Sequence, residues 1–125
     1  MRTAKISVDG KEYLLCFSAR VMRACTERYG GVEKIDDALS QENQGKVLDE
    51  SIWLISTMMM AGAKYAQMNG IDSPPPLSFD DLYDSLSFDD LSGLQSKIAE
   101  TVRNGHETTI QAKPPKNVGA TPGEK

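Results

Sequence analysis

The chain has 125 residues, 39% of them apolar and 26% charged, a size and balance suited to one domain with a real core. Its formal charge is −4 and its pI near 4.9, without a cluster of Lys and Arg to neutralise phosphates, so a nucleic-acid partner is not expected. The most apolar stretch, Ile52 to Ala63, is broken by Ser56 and Thr57 and falls short of the about 20 apolar residues a bilayer span needs. No basic segment followed by an apolar run opens the sequence, so a cytoplasmic protein without a membrane segment is expected.

In chain order, the first element is a β-hairpin over residues 4–17. Ile6 and Val8 alternate with polar neighbours, Asp9-Gly10 is a strong two-residue turn signal, and Tyr13, Leu15 and Phe17 alternate again. A two-residue loop pairs Val8 with Lys11 and Ile6 with Tyr13, which puts Ile6, Val8, Tyr13, Leu15 and Phe17 on one face. The other face carries Lys5, Ser7 and Glu12 but also Leu14 and Cys16, so partial cover is expected there. Ser18 then reads as an N-cap, with Phe17 and Met22 as a hydrophobic staple. The helix it starts runs through Val21, Met22, Cys25 and Tyr29 and stops at Gly30-Gly31. A short helix from Val32 to Leu39 and a polar loop over residues 40–45 follow.

The dominant expected element is a helix from about Lys46 to Met68, apolar almost all round near its middle and therefore central to the fold. It ends at Asn69-Gly70, and Pro74-Pro75-Pro76 forbids its continuation. Next comes an internal echo, Leu77-Ser78-Phe79-Asp80-Asp81-Leu82 and then Leu86-Ser87-Phe88-Asp89-Asp90-Leu91. Each copy offers Ser as N-cap, acids in the first turn and a Leu–Leu staple. Two helices are predicted from it, the second running through Leu94, Ile98 and Val102 to Asn104-Gly105. The apolar pattern then vanishes, so the expected domain is 1–104 and residues 105–125 read as a disordered tail. The predicted class is α+β, mainly α: an N-terminal hairpin packed on a small helical bundle.

Catalytic chemistry finds little support. Cys16 and Cys25 would need His106, the only histidine, held within hydrogen-bond reach, and His106 falls in the expected tail. Buried reduced thiols are the plainer reading. Asp80, Asp81, Asp84, Asp89 and Asp90 lack the alternation, glycine and terminal Glu of a calcium loop, and helix N-terminal charge explains most of them. No catalytic residue, cofactor or metal is assigned, and no enzyme is expected. One feature leans towards binding: Met58, Met59 and Met60 lie next to Trp53 and Tyr65 on the long helix. Two readings stand for these five residues. One is adaptable core filling; the other is a surface for a partner or for self-association.

The order of signals, Asp9-Gly10-Lys11-Glu12-Tyr13, a strand ending in Phe17, a helix ending Arg28-Tyr29-Gly30 and a long apolar helix closing near a glycine, resembles phage tail assembly chaperones of long-tailed phages and prophages. The resemblance covers residues 4–95; the three prolines and the Ser-Phe-Asp-Asp-Leu echo are not features of that family. It implies a non-enzymatic protein of the bacterial host cytoplasm that coats the tape-measure protein, recruits tail-tube subunits and leaves the finished virion. It also implies a longer frameshifted product, with which Pro114-Pro115-Lys116 is compatible. The alternatives are a structural tail or head–tail component and a small bacterial protein-binding regulator.

Overall fold

A computed structural model describes residues 3–111, and side-chain surroundings for residues 3–105. Strands β1 (Thr3–Val8) and β2 (Lys11–Cys16) form an antiparallel pair in the expected register, Ile6 opposite Tyr13 and Val8 opposite Lys11. Asp9 and Gly10 turn the chain with φ of 52° and 80°, the left-handed pair that a two-residue hairpin of this twist requires. Ile6, Val8, Tyr13, Leu15 and Phe17 are all buried on one side. On the other side Thr3, Leu14 and Cys16 are covered, while Lys5, Ser7 and Glu12 stay in solvent near the turn.

Helix α1 (Ala19–Tyr29) starts where Ser18 accepts from Val21 N–H and ends at Gly30, φ 96°. Val21 and Cys25 face the core; Met22 is 44% exposed, so the expected staple partner of Phe17 points outward. A 3-10 turn over Val32–Lys34 leads into α2 (Ile35–Leu39), which buries Ile35. Helix α3 (Gln44–Met68) begins two residues earlier than its apolar pattern, because Asn43 caps it by accepting from Lys46 N–H at 3.1 Å. It lies along β2, while the last helix lies along β1 and also touches α3.

Gly62 makes the tightest of these approaches. A Cβ built there would stand 2.0 Å from the Leu14 carbonyl oxygen, so helix backbone rests directly on strand backbone. Ile52, Leu54, Ile55, Met58 and Met59 fill the core around this contact, each completely or almost completely buried. Each such side chain contributes about 1.5–3 kcal/mol through removal from water. Ser51, Ser56 and Thr101, buried among them, donate their hydroxyls to carbonyls of their own helices.

After the prolines, Leu77 N–H donates to the buried sulfur of Met59 at 3.2 Å, pinning the chain to α3 as it returns. Helices α4 (Phe79–Ser85) and α5 (Phe88–Leu91) start on the expected caps, Ser78 and Ser87. Ser87 adds a reciprocal bond from its own N–H to Asp90 Oδ2. The echo diverges from there. Leu82 is buried and Phe79 packs edge-on against Tyr83, whereas Phe88 is 88% exposed.

Two expectations fail in this region. The second echo helix is not continuous: α5 closes after one turn, Ser92 Oγ and Gly93 N–H bond back to Asp89 O and Asp90 O, and α6 (Leu94–Gln111) starts afresh. Nor does the helix stop at Asn104-Gly105. Gly105 lies within α6, and a Cβ there would sit 3.1 Å from both Cβ and O of Phe17. Its glycine answers a close approach between helix and hairpin, not a helix end, and Asn104 Nδ2 donates to Thr3 O at 2.9 Å beside it. The rest of the expected tail, residues 112–125 with Pro114-Pro115-Lys116, lies outside the described residues.

Gly62→Ala is expected to destabilise the fold by about 1–3 kcal/mol, the usual range for an overpacked core, and Gly105→Ala by less. Denaturant unfolding reads both; a neutral Gly62→Ala contradicts the contact. Phe79→Ala is expected to lower stability measurably, whereas Phe88→Ala changes it by less than about 0.5 kcal/mol by the same measurement.

Candidate functional site: the outer face of the long helix

Successive residues of an α-helix advance by about 100° round its axis. With Gly62 turned to β2, Met60 and Lys64 each lie about 160° away, on the outer face of α3. Trp53, Thr57 and Met68 fall on the same stripe. The exposures agree: Met60 is 61% and Met68 73% exposed, and Ile71 just beyond the helix is 41% exposed.

The five residues singled out for partner binding therefore separate. Met58 and Met59 flank the direction of Gly62, within about 60° of it, and are buried. They belong to the core and are not available as a surface. Three consecutive residues span about 200° of a helix, so a Met triplet cannot present a single face. Tyr65 also turns towards the hairpin side and is half-buried. Met60 is open to solvent. Trp53 is half-buried and held by its neighbours.

That hold is a polar knot between α1 and α3. Arg28 makes a two-pronged ion pair with Glu50, Nε to Oε1 at 2.7 Å and a terminal guanidinium nitrogen to Oε2 at 3.2 Å. Tyr29 OH donates to the same Oε1 at 2.7 Å. The guanidinium carbon lies 4.4 Å from the centre of the Trp53 ring, and Tyr29 meets that ring edge-on at 5.8 Å. Stacking a cation over indole while it also pairs with a carboxylate suits the planar guanidinium in particular. The hydrogen bond from Arg28 lowers the Glu50 pKa, and the bond to Glu50 in turn raises that of Arg28. Burial first, and then Glu50, pushes the Tyr29 phenol up.

On the other flank Tyr83 OH, from α4, donates to Asp49. That bond is the main reason its phenol is pushed up to about 12. Asp49 and Glu50 thus tie α3 to α4 and α1, one on each side. The stripe is gripped at its N-terminal half and open from Met60 to Met68. Sequence reading missed the knot. Glu50 and Trp53 are three apart and share a helix face, a visible signal, but their partners lie 21 and 22 positions away from Glu50.

Away from this stripe, an open groove of about 540 Å³ lies between Val32, Ile35 and Leu39 on one side and Ile98, Ala99 and Val102 on the other. Gln95 Nε2 donates to Leu39 O at 3.2 Å, tying its two walls together. Cys16 and Cys25 are both buried, and burial pushes the Cys25 thiol up. Among the described residues no three His, Cys, Asp or Glu side chains converge as a metal site would need, and no helix is long and apolar enough to cross a membrane.

Because the folded Glu50 carboxyl titrates below its ordinary 4.5, its contribution to stability is complete above that value and is lost as pH falls through the lower folded pKa. Glu50→Gln is expected to melt lower than the native chain at neutral pH. The gap should narrow on acidification from 4.5 downwards in a pH series of melts. A gap that stays constant with pH contradicts the ion pair's role. No family model, no curated protein and no solved structure matches the chain.

Proposed function

We propose that the chain is a non-enzymatic tail assembly chaperone of a phage or prophage, acting in the bacterial host cytoplasm on tape-measure and tail-tube proteins during tail morphogenesis. The observation that carries this reading is the open C-terminal half of the α3 outer face. There Met60 and Met68, 61% and 73% exposed, extend a stripe that begins at the clamped Trp53. Unbranched thioethers adapt to varied apolar shapes, which suits a protein that must cover helical surface temporarily. The net charge of −4 on the chain opposes aggregation while such a surface is exposed.

The residues behind the resemblance support the reading at the level of framework. Asp9 and Gly10 make the hairpin turn, Arg28 and Tyr29 bind Glu50, and Gly30 ends α1 in a left-handed conformation. They close the hairpin and hold α1 against α3; the proposed partner surface is made of other residues.

The test is affinity capture of the tagged chain from cells assembling tails, with bound proteins identified by mass spectrometry. The native chain is expected to retain tape-measure or tail-tube protein. The double substitution Met60→Asp with Met68→Asp should lose that capture while its melting temperature stays within a few degrees, as exposed substitutions allow. A folded, abundant bait that captures neither protein overturns the chaperone reading. Capture that survives the double substitution moves the partner surface away from α3.

A further inference from the structure

The dipeptide Asn-Gly occurs twice, at Asn69-Gly70 and Asn104-Gly105, and the fold places the two copies in opposite circumstances. Asn69 and Gly70 are both exposed and follow the last turn of α3, with Gly70 at φ 67°. The bonds at this corner are local: Asn69 Nδ2 to Tyr65 O at 2.8 Å, Asn69 N–H to Tyr65 O at 3.1 Å and Ala66 O at 3.2 Å, and Ile71 N–H to Ala66 O at 2.9 Å. Fraying of the helix end opens these bonds without lifting a helix off the hairpin. Asn104 and Gly105 lie inside α6, whose helical ladder runs on to Gln111. Asn104 Nδ2 is engaged with Thr3 O, and Gly105 is buried against Phe17. Releasing them requires α6 to lift off the hairpin.

We propose that Asn69 is a site of spontaneous deamidation and that its place in the fold protects Asn104 from the same reaction. The backbone nitrogen of Gly70 attacks Cγ of Asn69; the new Cγ–N bond forms, Cγ–Nδ2 breaks, and Nδ2 leaves as ammonia with the proton given up by the Gly70 amide. One water then opens the cyclic imide. Attack at Cγ yields aspartate; attack at the main-chain carbonyl yields isoaspartate, with the chain rerouted through the side chain. Water enters, ammonia leaves, and no oxidant or reductant is needed.

Glycine after the asparagine obstructs the attack least, since it has no Cβ and turns freely. Reaching the attacking geometry takes rotation about the Asn69 Cα–C bond from its ψ of 11°, which a helix end permits and a packed helix interior resists. The product places a carboxylate at the C-terminal end of α3, where the helix dipole is already negative, and removes the donor to Tyr65 O. The turn that carries Met68 is thereby loosened.

The experiment is peptide mapping by mass spectrometry of the full chain after timed incubation in mildly alkaline buffer, folded and in denaturant. In the folded chain Asn69 is expected to gain about 1 Da, split between aspartate and isoaspartate peptides. It should do so at least roughly tenfold faster than Asn104. In denaturant the two sites should convert at similar rates, and Asn69→Gln should abolish the change at the first site alone. Asn104 keeping pace with Asn69 in the folded chain overturns the proposal. So does an Asn69 that stays intact while the denatured chain converts at both sites, or a denatured chain that converts at neither.

Discussion

The arrangement turns on one backbone contact, the seating of α3 on β2 at Gly62. A helix normally stands off a sheet by the thickness of a side-chain layer; here the space for a single Cβ is already occupied by the Leu14 carbonyl. That approach fixes the rotation of a 25-residue helix about its axis. Once Gly62 faces the strand, Met58 and Met59 flank it in the core and Met60 and Lys64 must point away. The candidate surface is thus a consequence of where one glycine sits.

Polar groups are managed so that this packing goes undisturbed. The buried hydroxyls of Ser51, Ser56 and Thr101 return to carbonyls three or four residues earlier in their own helices, so these three donors are paired among the aliphatic side chains. The charges sit at the edges. Glu50 holds α1 through Arg28 and Tyr29, and Asp49 holds α4 through Tyr83, so adjacent residues of α3 reach in two directions. Covering Trp53 with the Arg28 guanidinium leaves the indole half-buried, which shifts the weight of any docking surface towards the methionines further along.

Much of the fold was legible in local chemistry. The caps at Ser18, Ser78 and Ser87 join groups three residues apart, and the two-residue Asp9-Gly10 turn sets the strand register, so the sequence carries them almost directly. The long apolar run announced α3 because burial on several sides leaves little room for polar residues. The candidate site was legible only in part. The Met58–Met60 triplet marks a helix with apolar side chains all round, but not which of the three is outside.

What the sequence by itself determined is therefore most of the elements, though not the break between α5 and α6 or the end of α6, with their chain order and the hairpin pairing, because these rest on periodicity, turn residues and caps. Tertiary structure alone decided how those elements meet. Two copies of Leu-Ser-Phe-Asp-Asp-Leu start the same helical turn, yet Phe79 finds Tyr83 and Phe88 is left in solvent. Two copies of Asn-Gly read alike as helix stops, yet one ends α3 and the other sits mid-helix against Phe17. The knot of Arg28, Tyr29, Glu50 and Trp53 joins residues more than twenty positions apart. In each case local chemistry is identical or silent, and the difference lies in which distant surface the packed chain brings alongside.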